Sequence, residues 1–344
     1  MFLLPEDPLA VVALAVMVAG TVFVAVSRWP KAYSLGLLLL VVFALQFYGQ
    51  MMRGLERDPL TGEATPDLLI SWLGFRAEPF LSGNQWWSPF SYMFLHSGLT
   101  HIIGNLFILL TAGPVLEDRM GSRAFLWTYF LAGFAAAAVH LLLATVGPDP
   151  FVGPTVAAVG ASGAIFGILT AVAVLYPKER LPMTLVYFII WLPASIVLLI
   201  YSGFNIAYAL GDYFATERGI RTGIAWYGHF AGLAVGLLAG LILERRRPAD
   251  APSGGGPPAP VDIAKLEPLA TTPDLRDMLT KIEGLQGATR DDAAFREAWL
   301  DRFFRRARCP QSGDPLTRKG QTAECVKCGY RVDFSGKKAG RKLF

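Results

Sequence analysis

Seven stretches of this chain are apolar over lengths near that needed to cross a lipid bilayer, and no other feature limits its folding as strongly. A helix crossing a hydrocarbon layer of about 30 Å takes roughly 20 mainly apolar residues, and every backbone polar group in it must be paired internally. The stretches run near Leu9 to Val26, Ser34 to Met52, Leu99 to Val115, Phe125 to Val146, Ala161 to Tyr176, Leu181 to Tyr201 and Ala225 to Leu243. Hydrophobic residues make up 53% of the chain and charged residues 17%, where a soluble domain carries about a quarter charged. The predicted fold class is therefore an all-α, polytopic (multi-pass) integral membrane protein.

The segment from Arg53 to Leu95 is too polar to span but holds Trp72, Trp86 and Trp87, as expected of a loop lying partly in the membrane interface. Glu6 and Asp7 precede the first apolar run. A signal peptide would carry Lys or Arg there, so the run reads as a retained helix. Arg28 and Lys31, Arg119 and Arg123, Lys178 and Arg180, and Arg245 to Arg247 fall in alternate connections. The positive-inside rule then places the N-terminus outside and the C-terminus in the cytoplasm; the expected setting is a bacterial plasma (inner) membrane. The net charge is only +4 and the basic residues are scattered over loop ends, so no nucleic-acid-binding face is expected.

After Arg247 the composition changes to a Pro/Gly-rich stretch, Pro248 to Pro260, which cannot sustain a helix or a core. Residues 248–273 are assigned to a linker, 274–308 to a charged helical segment, and 309–344 to a small cysteine-bearing tail. The last three parts make up a soluble C-terminal module, a candidate binding site for a cytoplasmic partner.

Ionisable and strongly polar residues inside a span are costly, and each is a functional candidate. Gly160, Ala161, Ser162 and Gly163 open one span. The glycines permit a tight turn and leave the hydroxyl unobstructed, while free N–H groups of the first helical turn can meet a developing negative charge. A small-residue packing face is the bland alternative. His229 begins a face that continues through Gly232, Gly236 and Gly240, and small residues at that spacing let a neighbouring helix come close. A serine needs an adjacent base to become nucleophilic, and an imidazole suits the task. With no Asp or Glu within the spans as a third member, the pair reads as a Ser162–His229 dyad. His101 and Asn105 are four apart, hence on one helix face, where both can donate to an oxyanion. His96 stands at the mouth of that helix, where a loop-fixing hydrogen bond is expected, and His140 is assigned a structural hydrogen bond.

These motifs make the chain similar to the rhomboid family of intramembrane serine proteases. The similarity lies in the spacing of His96, His101 and Asn105, in Glu117, Arg119 and Gly121, in Gly160 to Gly163, and in His229 followed by Gly232 and Gly236, over roughly Trp87 to Gly240. The resemblance implies a six-helix core, here residues 31–247, with an extra N-terminal transmembrane helix in residues 1–30 and an active site below the outer membrane surface. It implies a serine endopeptidase that cleaves transmembrane protein substrates in the bilayer without a cofactor, its oxyanion held by the Ser162 N–H, His101 and Asn105. Glu117 and Arg119 would fix the first-loop side of the fold and a helix connection. Three positions depart from the family pattern: Trp87 is followed by Ser88 where Arg is frequent, Phe166 stands where a Tyr often stacks under the base, and Gly228 precedes the base in place of Ala. None removes a catalytic group. The alternative is an inactive rhomboid-like protein that binds transmembrane segments without cutting them.

All three cysteines lie in the tail. Cys325, Cys328 and Gly329 form half of a zinc-ribbon knuckle, and Cys309, Ser312 and Gly313 have the shape of the other half with serine in place of the second cysteine. Structural zinc takes four ligands, so the site is completed by Asp314 or a group from another chain, or it is a degenerate knuckle without metal.

Overall fold

The computed structural model describes residues 4–53, 67–146, 152–185, 188–215, 225–245, 261–285 and 290–336. The stretch from Pro248 to Pro260 lies outside these residues, as does much of the first loop between Arg53 and Leu68. The chain divides into two compact units, Met1–Arg247 and Pro248–Phe344.

Among the described residues, the membrane unit contains six helices long and apolar enough to cross a bilayer, and one shorter apolar helix. Helix α1 (Pro8–Val26) starts where Asp7 accepts hydrogen bonds from the N–H groups of Leu9 and Ala10, with Pro8 in the first turn. The acid read as evidence against a signal peptide is thus the helix N-cap. Helix α2 (Lys31–Arg53) follows. Three short helices, α3 (Leu68–Leu73), α4 (Ala77–Leu81) and α5 (Ser88–Ser91), fold the first loop into a packed body. In it the Trp87 indole donates to Trp72 O at 3.0 Å and Ser91 Oγ to Leu73 O at 2.6 Å. Ser88 Oγ donates to Gln85 O at 2.7 Å, and Arg76 of the same loop sends its guanidinium to the carbonyls of Ile70 and Ser71.

Helices α6 (Leu99–Met120) and α7 (Ser122–Val146) are the next two spans, α6 continuing past Pro114. Helix α8 (Ser162–Leu175) is apolar all round, and residues Gly163 to Ala173 are all buried. Such a helix belongs inside a bundle. Its 14 residues rise about 21 Å, short of the roughly 30 Å hydrocarbon layer. Its first residue therefore lies below one surface when the other end is flush.

The span expected from Leu181 to Tyr201 is not a helix over that range. Strands β1 (Arg180–Leu185) and β2 (Phe188–Pro193) pair antiparallel, and α9 (Ala194–Ala215) begins directly after Pro193. Inside a helix Pro193 would lack its hydrogen bond and clash with the preceding turn, and the β-branched and aromatic residues before it favour strands. The span slides toward the C-terminus, which brings Asp212 into it. Helix α10 (Trp226–Arg245) closes the unit.

In the second unit, α11 (Pro273–Gly284) is capped by Thr272 and packs with α12 (Arg290–Arg306). Strands β3 (Thr317–Lys319), β4 (Thr322–Glu324) and β5 (Arg331–Asp333) form an antiparallel ribbon. Residues 261–273, assigned to the linker from composition, belong to this unit instead. Val261, Leu266 and Leu269 are buried in one core with Leu279, Phe303 and Phe334.

Candidate active site

Ser162 is the first residue of α8 and His229 lies in the first turn of α10. Ser162 Oγ and His229 Nε2 are 2.8 Å apart, within hydrogen-bond range. The approach depends on glycine. A side-chain carbon on Gly232 would lie 2.8 Å from the carbonyl carbon of Gly163, and one on Gly236 would lie 2.8 Å from Thr170 Cβ. Backbones of α8 and α10 thus touch where any larger residue would part them. The Phe166 ring lies under His229, with centroids 4.6 Å apart and planes 9° from parallel. On its other nitrogen, His229 Nδ1 faces Asn205 Oδ1 of α9 at 2.7 Å, a partner absent from the sequence reading.

Gly160 has φ of 124°, a conformation glycine adopts freely. A side-chain carbon there would meet the His101 ring at 2.8 Å, so the glycine also makes room for that imidazole. Ser97 fixes which ring nitrogen of His101 carries the proton. Its backbone N–H, which can only donate, points at Nδ1 from 3.4 Å, and its hydroxyl lies 3.0 Å from the same atom. Nδ1 then accepts, and the neutral ring carries its proton on Nε2, the nitrogen nearest Gly160. Asn105 is buried one turn further on, and its Nδ2 has no hydrogen-bond partner among the described residues. A buried amide without a partner is a costly arrangement that calls for explanation. The Ser162 N–H, in the first turn of α8, is free of any intrahelical partner.

A cavity of about 20 Å³ at Ser162 is lined by Tyr92, His140, Gly160, Tyr227 and His229 among others, room for one water molecule. His140, assigned a structural bond, makes two: Nδ1 with Tyr227 Oη at 2.8 Å and Nε2 with Val156 O at 3.2 Å. It also borders the cavity. The irregular chain before Ser162 has its polar groups paired, Ala158 with Phe75 in both directions and the Gly160 N–H with Tyr92 O at 2.9 Å. Non-helical backbone at depth requires such pairing.

His96, Glu117 and Arg119 make contacts that the sequence did not specify. The loop at His96 is held through its backbone: Gln46 of α2 accepts from the His96 N–H at 3.1 Å and donates to its carbonyl at 2.6 Å. The His96 ring is fully buried, and burial, with His101 next, pushes the imidazole down to about 3 against a hydrogen bond to the Phe94 backbone. Among the described residues Glu117 and Arg119 hold helix connections and make no contact with the first loop. Glu117 accepts from the N–H groups of Lys31 and Ala32 at 2.7 and 2.9 Å and from Ser122 Oγ at 2.7 Å, capping α2. Arg119 pairs with Glu179 at 2.7 Å and lies over the Tyr176 ring. Both sit at the far end of α6 from His101, as their numbering along one helix requires.

Residues 83–246 match the family model described as Rhomboid domain. These residues form a rhomboid-family domain. It is 34% identical over 101 residues to Rhomboid-like protease 3 of Toxoplasma gondii, covering 29% of this chain and 35% of that protein. Rhomboid protease GluP of Bacillus subtilis is 25% identical over 51% of this chain and 31% of its own length. RHOMBOID-like protein 4 of Arabidopsis thaliana is 27% identical over 55% and 41%. The matched stretches therefore cover well under half of each of these relatives.

In the second unit the sulfur atoms of Cys309, Cys325 and Cys328 lie within 4.8 Å of one another, a group able to hold a metal ion. Cys309 and Cys328 sulfurs are 3.5 Å apart, near the roughly 3.8 Å edge of a tetrahedron built on zinc–sulfur bonds of about 2.3 Å. Ser312 Oγ joins the cluster 3.3 Å from the Cys325 sulfur. Asp314, named as a fourth ligand from the sequence, turns its carboxylate to Lys327 at 3.2 Å. Hydrogen bonding to Ser312 lowers the Cys325 thiol. Desolvation opposes the same shift at Cys309, but hydrogen bonds from Ser312 and the Gln311 backbone outweigh it and bring the thiol down to about 6.

Proposed function

We propose that this protein is an intramembrane serine endopeptidase that cuts transmembrane protein substrates. The observation that carries the reading is the 2.8 Å contact between Ser162 Oγ and His229 Nε2 at the start of a short, buried helix. His229 takes the hydroxyl proton as Ser162 attacks the scissile carbonyl, giving a tetrahedral oxyanion. The Ser162 N–H, His101 Nε2–H and the unpartnered Asn105 Nδ2 are donors for that oxygen. Protonated His229 then gives its proton to the leaving amine, and the acyl group stays on Ser162. Water, deprotonated by His229, attacks the acyl-enzyme, releases the carboxylic acid and restores the serine.

The catalytic unit is residues 31–247, preceded by an added helix in residues 1–30. The N-terminus faces outward and the C-terminal unit lies in the cytoplasm, on the Lys and Arg placement noted above. For the C-terminal unit we propose a structural zinc on Cys309, Cys325 and Cys328, with Ser312 at the fourth position. Catalysis needs no cofactor in this scheme.

The test is cleavage of a fluorescent transmembrane substrate in liposomes by wild type, Ser162→Ala and His229→Ala, with and without a chelator. Cleavage by the wild type alone, insensitive to chelator, supports the mechanism. Folded wild-type protein that cuts none of several substrates would favour a binding-only role, and cleavage surviving in Ser162→Ala would sink the serine mechanism.

A further inference from the structure

Helix α9 carries a polar side chain that the family motifs leave unexplained. Asn205 lies mid-helix and is 2% exposed, and a polar group in such a place needs partners. It has two. Its Nδ2 donates to the backbone carbonyl of Trp226 at 3.0 Å, and its Oδ1 faces His229 Nδ1 at 2.7 Å.

A carbonyl oxygen can only accept, so the end of the amide facing Trp226 must be the NH2 group. That leaves Oδ1 for His229. Oδ1 cannot donate, so Nδ1 of His229 must carry the proton. A neutral imidazole has one N–H, and Nε2 is left with its lone pair aimed at Ser162 Oγ. The Phe166 ring, stacked at 4.6 Å, holds the plane of the imidazole. A half-turn of the ring would replace Nδ1 by carbon and break the bond to Asn205, so the amide also selects between the two flips.

Resting on the serine-protease reading for its catalytic consequence, we infer that Asn205 is a positioning residue that locks His229 in the Nδ1–H tautomer a general base for Ser162 requires. The site is then a Ser162–His229–Asn205 triad without a carboxylate. An amide oxygen supplies the acceptor without placing an ionised group inside a span, where a charge is costly. The acid on the same helix, Asp212, is two turns away and accepts from the Trp226 indole at 3.2 Å. It therefore steadies the residue whose carbonyl orients Asn205.

The experiment uses full-length protein labelled with 15N in its histidines, in detergent at a pH where the rings are neutral. Long-range proton–nitrogen correlations distinguish a protonated from a bare ring nitrogen, and His229→Gln assigns the signals. The expected result is a protonated Nδ1 and a bare Nε2 on His229. In Asn205→Leu that preference is lost and kcat, normalised to folded protein by size exclusion, falls on the order of 10²-fold, the scale of general-base catalysis, with little change in KM. Asn205→Asp keeps an acceptor toward Nδ1, so it restores the tautomer and part of kcat. A wild-type His229 protonated on Nε2, or an Asn205→Leu enzyme with wild-type kcat, overturns the inference. Should wild-type protein cut no substrate and fail to react with a fluorophosphonate, the protease reading falls, and the nitrogen spectrum still decides the role of Asn205.

Discussion

Replacing Gly232 by alanine separates packing from chemistry at this site. The added methyl would lie 2.8 Å from the carbonyl carbon of Gly163, where carbon atoms prefer about 3.5–4.0 Å. Backbone cannot rotate away as a side chain can, and the carbonyl oxygen of Gly163 lies closer still, so α8 and α10 must part by more than about 0.7 Å to clear it. Ser162 precedes Gly163 directly and His229 lies one turn before Gly232, so the shift falls on their hydrogen bond. A bond of 2.8 Å lengthened by this amount is broken by ordinary criteria. Misplacement on the order of 1 Å costs about 10²-fold in rate. Overpacking costs about 1–3 kcal/mol, against which alanine regains up to about 1 kcal/mol of helix propensity. Activity should therefore fall far more than stability. Cleavage of a fluorogenic transmembrane substrate, with thermal unfolding measured on the same preparation, reads both. Gly203→Ala, inside α9, is the control, since nothing lies within 4 Å of its added carbon, and it should leave activity unchanged while raising stability by up to about 1 kcal/mol. Wild-type kcat/KM in Gly232→Ala would refute the argument that contact of these two backbones sets the distance between nucleophile and base.

Asn105→Leu and His101→Phe, each removing one donor for the oxyanion, should lower kcat by about 10²–10³-fold with little effect on KM; single-turnover acylation kinetics check this. Glu117→Ala strands the N–H groups of Lys31 and Ala32 and the Ser122 hydroxyl. At about 1–3 kcal/mol for a buried donor left unpaired, it should lower the unfolding temperature clearly, while Glu117→Gln, which keeps an acceptor, should lower it less. Full-length protein purified without chelator should contain one zinc per chain by elemental analysis, and Cys325→Ser should lose it. Ser312→Cys, which completes a four-sulfur set, should hold zinc against a chelator that strips the wild type.

Ser162, His229, His101 and Asn105 were legible in the sequence because each is polar where polarity is costly, and because their flanking glycines follow helical spacing. Asn205 is equally polar and equally deep. It escaped because its partner is 24 residues away on another helix, and no local spacing joins them. The absence of a carboxylate within the spans was inferred from a boundary that moved: Asp212 entered α9 once Pro193 closed a strand. Hydropathy read the residues from Leu181 to Pro193 correctly as apolar, but apolarity does not distinguish a hairpin from a helix, whereas two prolines and a run of β-branched and aromatic side chains do. The error at Glu117 has a similar origin. A motif read as tied to the first loop as well as to a helix connection lies more than four turns along α6 from His101 at its N-terminal end, and helix geometry alone separates it from that loop.

The first loop has a function that neither its composition nor its tryptophans state. On the protease reading the serine must lie below the membrane surface, which the 14-residue length of α8 provides. Shortness transfers the problem to residues 152–161, whose backbone runs at depth without helical hydrogen bonds. Phe75 and Tyr92 of the loop supply the missing partners to Ala158 and Gly160, and Gln46 anchors the loop's end at His96 from α2. Held at Gly160, the chain turns with positive φ into Ser162 and leaves room for the His101 ring. On the same reading the loop supports the nucleophile's approach and the oxyanion donors together. Weakening it at Gln46 should therefore reduce catalysis before it unfolds the bundle, because the helices keep their own packing while the approach to Ser162 does not.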